Sequence, residues 1–307
     1  MTLNSNNKTF IIAEIGVNHN GSLAIAKKLI LAGKKAGADA VKFQNFTAEK
    51  LVTINAKKAP YQIKNTKNNN SQFKMLKKLE LKKSYYFDLI RFCKLNNIEF
   101  LSSVFDIESV DFLQRNLKMK KIKIPSGEIT NSILLDKIKL KNYNVILSTG
   151  MSNMKEIVNA INIISKKQIY KVIGNKIVIV NNKYLNYIRK KLIVMHCVTD
   201  YPVIDKYANL QCINTLQNKL KLNIGYSDHT KGIIAPIIAV SKGAKVIEKH
   251  FTLNKKMSGP DHAASLDPRE FEEMVKNIRK FEIMNGDGKK TLFGCEKINN
   301  KIARKSL

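Results

Sequence analysis

The sequence predicts an α/β protein folded as a (β/α)8 TIM barrel. Three observations carry this. Short apolar runs alternate with amphipathic helical patterns; the alternation occurs eight times; and polar, chemistry-bearing residues follow the runs rather than being scattered. Repeated β-then-α units imply a parallel sheet, and eight of them close a barrel. An open doubly wound sheet would announce a glycine-rich turn after its first strand. The first strand here leads into GVNHNG, which lacks GxGxxG spacing.

The elements follow in order. The first strand, Phe10–Ile15, carries Glu14 and leads through Asn18, His19 and Asn20 to the helical pattern LAIAKKLILAGKKAG. The second, Ala40–Phe43, holds Lys42 and ends near Gln44; residues 45–80 do not fit the regular spacing and include the polar stretch NTKNNNSQ, which reads as a mobile loop, before the helix SYYFDLIRFCKLNN. The third, Glu99–Ser102, ends in Ser102 and Ser103 before SVDFLQRN. The fourth, Lys121–Ile124, holds Lys123 and runs into Pro125, Ser126, Gly127 and Glu128 before SILLDKIKL. The fifth, Val145–Ser148, gives Ser148 and Thr149 before MKEIVNAINIISKK. A basic insertion at 166–191 reads as a small hairpin plus helix. The sixth strand, Ile193–His196, is followed by Thr199, Tyr201 and the helix ANLQCINTLQNKL. The seventh, Asn223–Gly225, leads to Tyr226, Ser227, Asp228 and His229, then IIAPIIAVSKG. The eighth, Lys245–Glu248, leads to Lys249 and His250 and, beyond them, DPREFEEMVKNIRKFEIM. Apolar residues recur at three- and four-residue steps in the longer helices, and several open on Asn, Ser or Asp as N-caps.

Composition narrows the function classes. A hydrophobic content of 44% in 307 residues is that of a globular chain with a large core. No apolar stretch is long enough for a membrane span, and MTLNSNNKTF lacks a signal core, so the expected location is cytoplasmic. Cys93, Cys197, Cys212 and Cys295 show no CxxC spacing, which argues against a disulfide scaffold or thiolate zinc; Cys197 reads as core. The net charge of +30 raises nucleic acid or another polyanion as a partner. Its lysines are spread along helices among many asparagines, with no zinc-finger or RNP-like pattern, so a solvated basic surface is the better reading.

In a barrel, chemistry gathers where strands end. All five histidines fall in these segments or just after them, a distribution that points to function. His229 and His250 close adjacent strands, near enough to share one divalent ion, with Mn2+, Mg2+, Co2+ or Zn2+ compatible. Glu248 and Asp261 stand nearby as outer partners or sugar contacts, Glu248 alternatively in a plain salt bridge with Lys249. Lys42 and Lys123 lie inside apolar runs, where an unpaired ammonium is costly; with Ser126 and Ser148 they make a phosphate or carboxylate cradle. A Schiff-base aldolase using Lys42, Lys123 or Lys249 is the competing enzyme reading, and a basic polyanion binder the competing non-enzyme one.

The segments IIAEIGVNHNGSLAIAKKLILAGKKAGADAVKFQ, KIPSGEITN, ILSTGM, HCVTDYP, GYSDHTKGI, VIEKHFTL and GPDHAASLDP resemble, in order, the sialic acid synthase family of N-acetylneuraminate, legionaminate and pseudaminate synthases. The resemblance implies a TIM barrel that condenses phosphoenolpyruvate with an N-acyl amino-sugar aldose and releases phosphate. It implies that His229 and His250 hold a metal, usually manganese; that Lys42, Lys123, Ser126, Ser148 and Ser227 grip phosphoenolpyruvate with Ser103 and Thr199 at its edge; and that Glu14, Tyr201 and Asp261 bind the sugar, Glu14 being a candidate acid/base. GPDHAASLD is closer to sialic or legionaminic synthases than to pseudaminic ones. Family members carry a small antifreeze-like domain after the barrel and form domain-swapped homodimers, in which that domain supplies an arginine to the partner's site. The expected division is a barrel over 1–284 and a linker over 285–307, where KINNKIARKSL resembles only the first residues of the antifreeze-like domain. A separately encoded domain, a truncated gene and a weak or inactive copy each fit that ending.

Overall fold

In chain order the strands are β1 (Phe10–Gly16), β2 (Ala40–Asn45), β3 (Glu99–Val104), β4 (Lys121–Ile124), β5 (Asn144–Ser148), β6 (Tyr170–Ile173), β7 (Lys176–Ile179), β8 (Leu192–Cys197), β9 (Asn223–Asp228) and β10 (Val246–His250). In this computed structural model, which describes residues 8–66 and 70–304, eight of them close a parallel barrel in the order β1-β10-β9-β8-β5-β4-β3-β2. The eight predicted strands are these eight, most of them a residue or more longer than expected.

Successive side chains of a strand point to opposite faces, so each barrel strand serves two cores. The outward set, including Ile11, Ala13, Val41, Phe43, Leu147 and Ile247, packs against the helices. The inward set, Ile12, Ala40, Leu101, Ile146, Ile193, Met195 and Val246, plugs the barrel. Both sets are apolar, which is why the strands read as continuous hydrophobic runs. One pleat further along, the interior changes character. Ile12 gives way to Glu14, Ala40 to Lys42, Leu101 to Ser103, Ile146 to Ser148 and Val246 to Glu248. The plug is thus the floor of a polar chamber at the C-terminal end of the strands.

Side-chain caps fix the helix starts. Ser22 caps Leu23–Lys35, and capping boxes open Met154–Ser165 (Asn153 with Glu156) and Pro268–Asn285 (Asp267 with Glu270). The last of these helices is tied to the barrel base by Arg279, which donates to Thr9 O at 2.8 Å and to Asp39 Oδ2 at 3.1 Å. The 166–191 insertion is, as expected, an antiparallel hairpin (β6–β7) followed by a helix, Asn182–Ile188.

Residues 45–80 break the regular spacing because they are more than a simple connection between β2 and the next helix. They carry three short helices, Ala48–Leu51, Pro60–Thr66 and Gln72–Leu79. Met75, Leu76 and Leu79 bury against Val17, Phe46 and Ala48 in a separate small core. Helices this short are held by tertiary packing rather than propensity, so the sequence pattern understates them. Within NTKNNNSQ, Lys67, Asn68 and Asn69 lie outside the described residues. Beyond Asn285 the chain carries a short helix, Lys297–Ala303, with Ile298 and Ile302 exposed. No described helix is long and apolar enough to cross a membrane.

Candidate active site

The chamber is built around four charges on four strands. Lys42 Nζ on β2 lies 2.8 Å from Glu14 Oε2 on β1, 3.5 Å from Glu248 Oε1 on β10, and donates to Ser103 Oγ at 3.0 Å. Lys123 Nζ on β4 reaches across the barrel to Glu248 Oε2 at 3.0 Å. Ser227 Oγ donates to Glu248 Oε1 at 3.1 Å, and Gln44 Nε2 to Glu14 Oε1 at 3.2 Å. All four charged side chains are buried. Two ammonium groups against two carboxylates leave the chamber neutral, which is how it can be buried. Burial works to raise the Glu248 pKa, but Lys123 and Lys42 outweigh it and hold it down at about 2. Glu14 goes the other way: burial, reinforced by Glu248, lifts it above the ordinary carboxylate value against the pull of Lys42. The two carboxylates therefore differ. Glu248 is a fixed anion, and Glu14 is the one suited to gaining and losing a proton.

A second group of donors borders the charges. Gly150 N donates to Ser126 Oγ at 3.0 Å, and Ser126 Oγ contacts Cys197 Sγ at 3.1 Å. A Cβ built on Gly150 would run into Thr199 Oγ1 and stand 2.8 Å from Ser126 Oγ. Ser148 Oγ is buried with no hydrogen-bond partner among the described residues. A buried hydroxyl without a protein partner is suited to hydrogen-bond a ligand. Cys197 is buried as expected, but in the wall of this cradle rather than in the outer core.

At the mouth, the imidazoles of His229 and His250 face each other with ring centroids 5.7 Å apart. The Tyr201 ring packs on both, at 4.3 Å and 5.6 Å, and Tyr61 from the helix Pro60–Thr66 packs on Tyr201 at 5.1 Å. Burial lowers the pKa of both histidines, and in His250 the neighbouring His229 adds to it. They are neutral, which is the ligating form. His229 Nδ1 is engaged by Val198 O at 2.6 Å, while His250 Nδ1 is buried with no partner among the described residues. These features fit a divalent cation held by two imidazoles. Among the described residues no group of three or more His, Cys, Asp or Glu is placed to hold one, so the remaining positions would belong to water and substrate.

Asp261 lies buried in the same mouth, where desolvation and the charge of Glu14 raise its pKa from 3.8 to about 7. The folded state binds this proton more tightly than the unfolded chain does. Stability therefore falls as pH rises from about 4 to about 7, and the loss is complete above that. Asp261→Asn should raise unfolding free energy at pH 8 by at most on the order of 4 kcal/mol, a gain that fades towards pH 4. Urea melts of the metal-free chain at both pH values check this; an equal effect at both would refute the assignment.

Of the residues expected to form the site, Glu14, Lys42, Ser103, Lys123 and Ser227 meet directly in the charged layer, Ser126, Ser148 and Thr199 belong to the bordering cradle, and Tyr201, His229, His250 and Asp261 gather at the mouth. The histidine argument fails for the other three. His196 faces outward to Ala208 O, His262 binds Thr252 Oγ1 at 2.6 Å, and His19 accepts from Gly21 N and stacks on Phe43. The Glu248–Lys249 salt bridge is also absent. Lys249 sits on the opposite face of β10 and pairs with Asp228 at 2.5 Å, so it is no chamber nucleophile. Lys42 is equally unsuited to Schiff-base chemistry: burial lowers its pKa, but Glu14 and Glu248 more than offset that, so it stays charged. Sequence reasoning missed Gly150, Tyr61 and the central position of Glu248. Strand parity could have found Glu248, since it stands two residues after the inward Val246.

The sequence profile of the NeuB family matches residues 29–290. An N,N'-diacetyllegionaminic acid synthase of Campylobacter jejuni is 48% identical over 98% of this chain and 84% of its own. The chain belongs to the NeuB family, the sialic acid synthases. Another NeuB relative, the N,N'-diacetyllegionaminic acid synthase of Legionella pneumophila, is 42% identical over 97% of this chain and 79% of its own. Among solved structures, an N-acetylneuraminic acid synthetase from Leptospira borgpetersenii in complex with citrate superposes with a TM-score of 0.76 at 30% identity, covering 97% of this chain and 92% of that one.

Proposed function

We propose that this NeuB protein condenses phosphoenolpyruvate with an N-acyl amino-sugar aldose, N-acetylmannosamine or a 2,4-diacetamido-trideoxyhexose, giving a nonulosonic acid and phosphate. The observation that carries the proposal is the juxtaposition of a lysine- and serine-lined anion cradle with a neutral histidine pair. One half suits an anionic substrate and the other an electrophile activated by a cation. Identity to legionaminic acid synthases at 48% and 42% favours the diacetamido sugar.

His229 and His250 would hold the divalent ion, manganese by preference and magnesium or cobalt in its place. When bound, the ion supplies Lewis-acid polarisation of the aldehyde oxygen. The chain's own residues do the rest. Lys42 and Lys123, with Ser126, Ser148, Ser103, Ser227 and Thr199, hold the phosphate and carboxylate charge, and Gly150 lets Ser126 and Thr199 close on the backbone beside it. Tyr201 and Asp261 bound the sugar subsite. The enol C3 bonds to the aldehyde carbon, water adds at C2, and the C2–O bond breaks as phosphate leaves. Glu14, with its raised pKa, is placed to move a proton at the sugar end. The same cradle that bound the substrate's phosphate stabilises it on departure.

The test is phosphate release from phosphoenolpyruvate with manganese, with and without each aldose, repeated after chelation. Release that needs both sugar and metal supports the proposal; release without sugar, or undiminished by chelator, defeats it. Gly150→Ala should raise the KM for phosphoenolpyruvate by roughly tenfold or more, through steric conflict with Thr199 and Ser126, while leaving the aldose KM within about threefold. Steady-state kinetics with each substrate varied in turn would show it; an unchanged phosphoenolpyruvate KM would remove Gly150 from the cradle.

A further inference from the structure

The two imidazoles stand at the ends of β9 and β10, and the rung just before them is a buried ion pair. Asp228 and Lys249 are register partners across these strands, and both side chains are fully buried. By strand parity they lie on the outer face of the barrel, opposite Glu248 and Ser227. Lys249 Nζ lies 2.5 Å from Asp228 Oδ2 and donates to Thr230 O, also at 2.5 Å. Asp228 Oδ1 accepts from Tyr226 OH at 3.0 Å and from Thr230 N at 2.9 Å. One ammonium therefore grips the residues on both sides of His229, and it belongs to the residue preceding His250.

We infer that Lys249 and Asp228 are positioning residues that fix the spacing of His229 and His250 for a shared divalent cation; this rests on the metal reading given above. His229 lies just beyond the end of β9, next to the bridge residue Thr230. Apart from the clamp it is held by Val198 O on its ring and by Val203 N on its carbonyl. A buried ion pair contributes little net stability compared with apolar residues of the same volume, because desolvation offsets the attraction. What it provides is direction. Two acceptors, Asp228 Oδ2 and Thr230 O, fix where the ammonium sits, and the ammonium in turn fixes the segment that carries His229 relative to the strand that carries His250. The pair acts on the ligands through the backbone and touches no reacting atom.

The experiment follows loss of the free-manganese spin-resonance signal on titration into the wild type, Lys249→Met and Tyr226→Phe, with phosphoenolpyruvate binding measured separately without metal. Lys249→Met should weaken manganese binding on the order of tenfold or more, the range seen for outer partners of metal ligands. Phosphoenolpyruvate affinity should stay within about threefold, because its cradle lies on the opposite face of β10. Tyr226→Phe, which removes one hydrogen bond to Asp228 and keeps the ring, should weaken manganese by about threefold and serves if the lysine variant does not fold. Unchanged manganese affinity in the folded variants overturns the inference, as does a parallel loss of both ligands, which would mark general destabilisation. A wild-type chain that takes up no manganese overturns the metal reading itself.

Discussion

The variant carrying both His229→Ala and His250→Ala is expected to lose stoichiometric manganese binding and to lower sugar-dependent phosphate release by about a hundred- to a thousandfold, since Lewis-acid activation contributes several kcal/mol to such a barrier. The fold should survive. Both rings are neutral, so no unpaired charge is left behind, and among the described residues the only hydrogen bond lost is that from His229 Nδ1 to Val198 O. The cost is a cavity at the rim of the chamber, against the Tyr201 ring, and should stay near 1–3 kcal/mol. Phosphoenolpyruvate affinity should change little, because among the described residues no hydrogen bond joins its proposed ligands to either imidazole. Far-UV circular dichroism, calorimetric titration with manganese and phosphate-release kinetics on one preparation would decide the matter. Stoichiometric manganese in the double variant would refute the assignment; loss of phosphoenolpyruvate binding along with the metal would mean that the two subsites are one.

The barrel was legible because its strands are buried on both faces and so stand out as short apolar runs, and because the alternation of strand and helix leaves few topologies open. The chemistry-bearing positions were legible for the same reason: Glu14, Lys42, Lys123 and Ser148 interrupt apolar runs at inward-facing places. What the linear pattern did not resolve was direction at the end of a strand. Glu248, Lys249 and His250 are consecutive, and reading them as neighbours paired Glu248 with Lys249. In a strand they point alternately in and out, so Glu248 joins Lys42 and Lys123 while Lys249 joins Asp228 behind the wall. The same parity sends His196 out of the chamber, although it stands near the end of its strand as His250 does. The helices of residues 45–80 escaped notice because their apolar residues are few, and those of Gln72–Leu79 pack on Val17 and Phe46, far back along the chain. Tyr61, which packs on Tyr201, escaped with them.

The charged layer makes the second large effect a matter of coupling. Lys123→Met removes the partner at 3.0 Å from Glu248 Oε2, in a chamber where both side chains are buried. Stranding a buried carboxylate costs about 3–5 kcal/mol when nothing else compensates it. Here Lys42 stays 3.5 Å from the other oxygen of Glu248 and Ser227 still donates to it, so the expected cost is at the lower end, about 3 kcal/mol. The variant should also bind phosphoenolpyruvate at least about tenfold more weakly, because a charge-assisted contact is gone. Adding Glu248→Gln to Lys123→Met neutralises the stranded charge and should return about 1–3 kcal/mol of stability, so the double variant costs less than its two parts. Phosphoenolpyruvate affinity should not return with it, because the cradle still lacks its ammonium. That separation is the informative result. Stability follows the balance of charge in the chamber, whereas anion binding follows the presence of Lys123 itself. Urea unfolding of the four forms gives the coupling, and calorimetry with phosphoenolpyruvate gives the affinity. Additive stability losses would mean that the Lys123–Glu248 pair is not coupled as the 3.0 Å contact requires; affinity recovered in the double variant would mean that Lys123 serves only to neutralise Glu248 and does not touch the substrate.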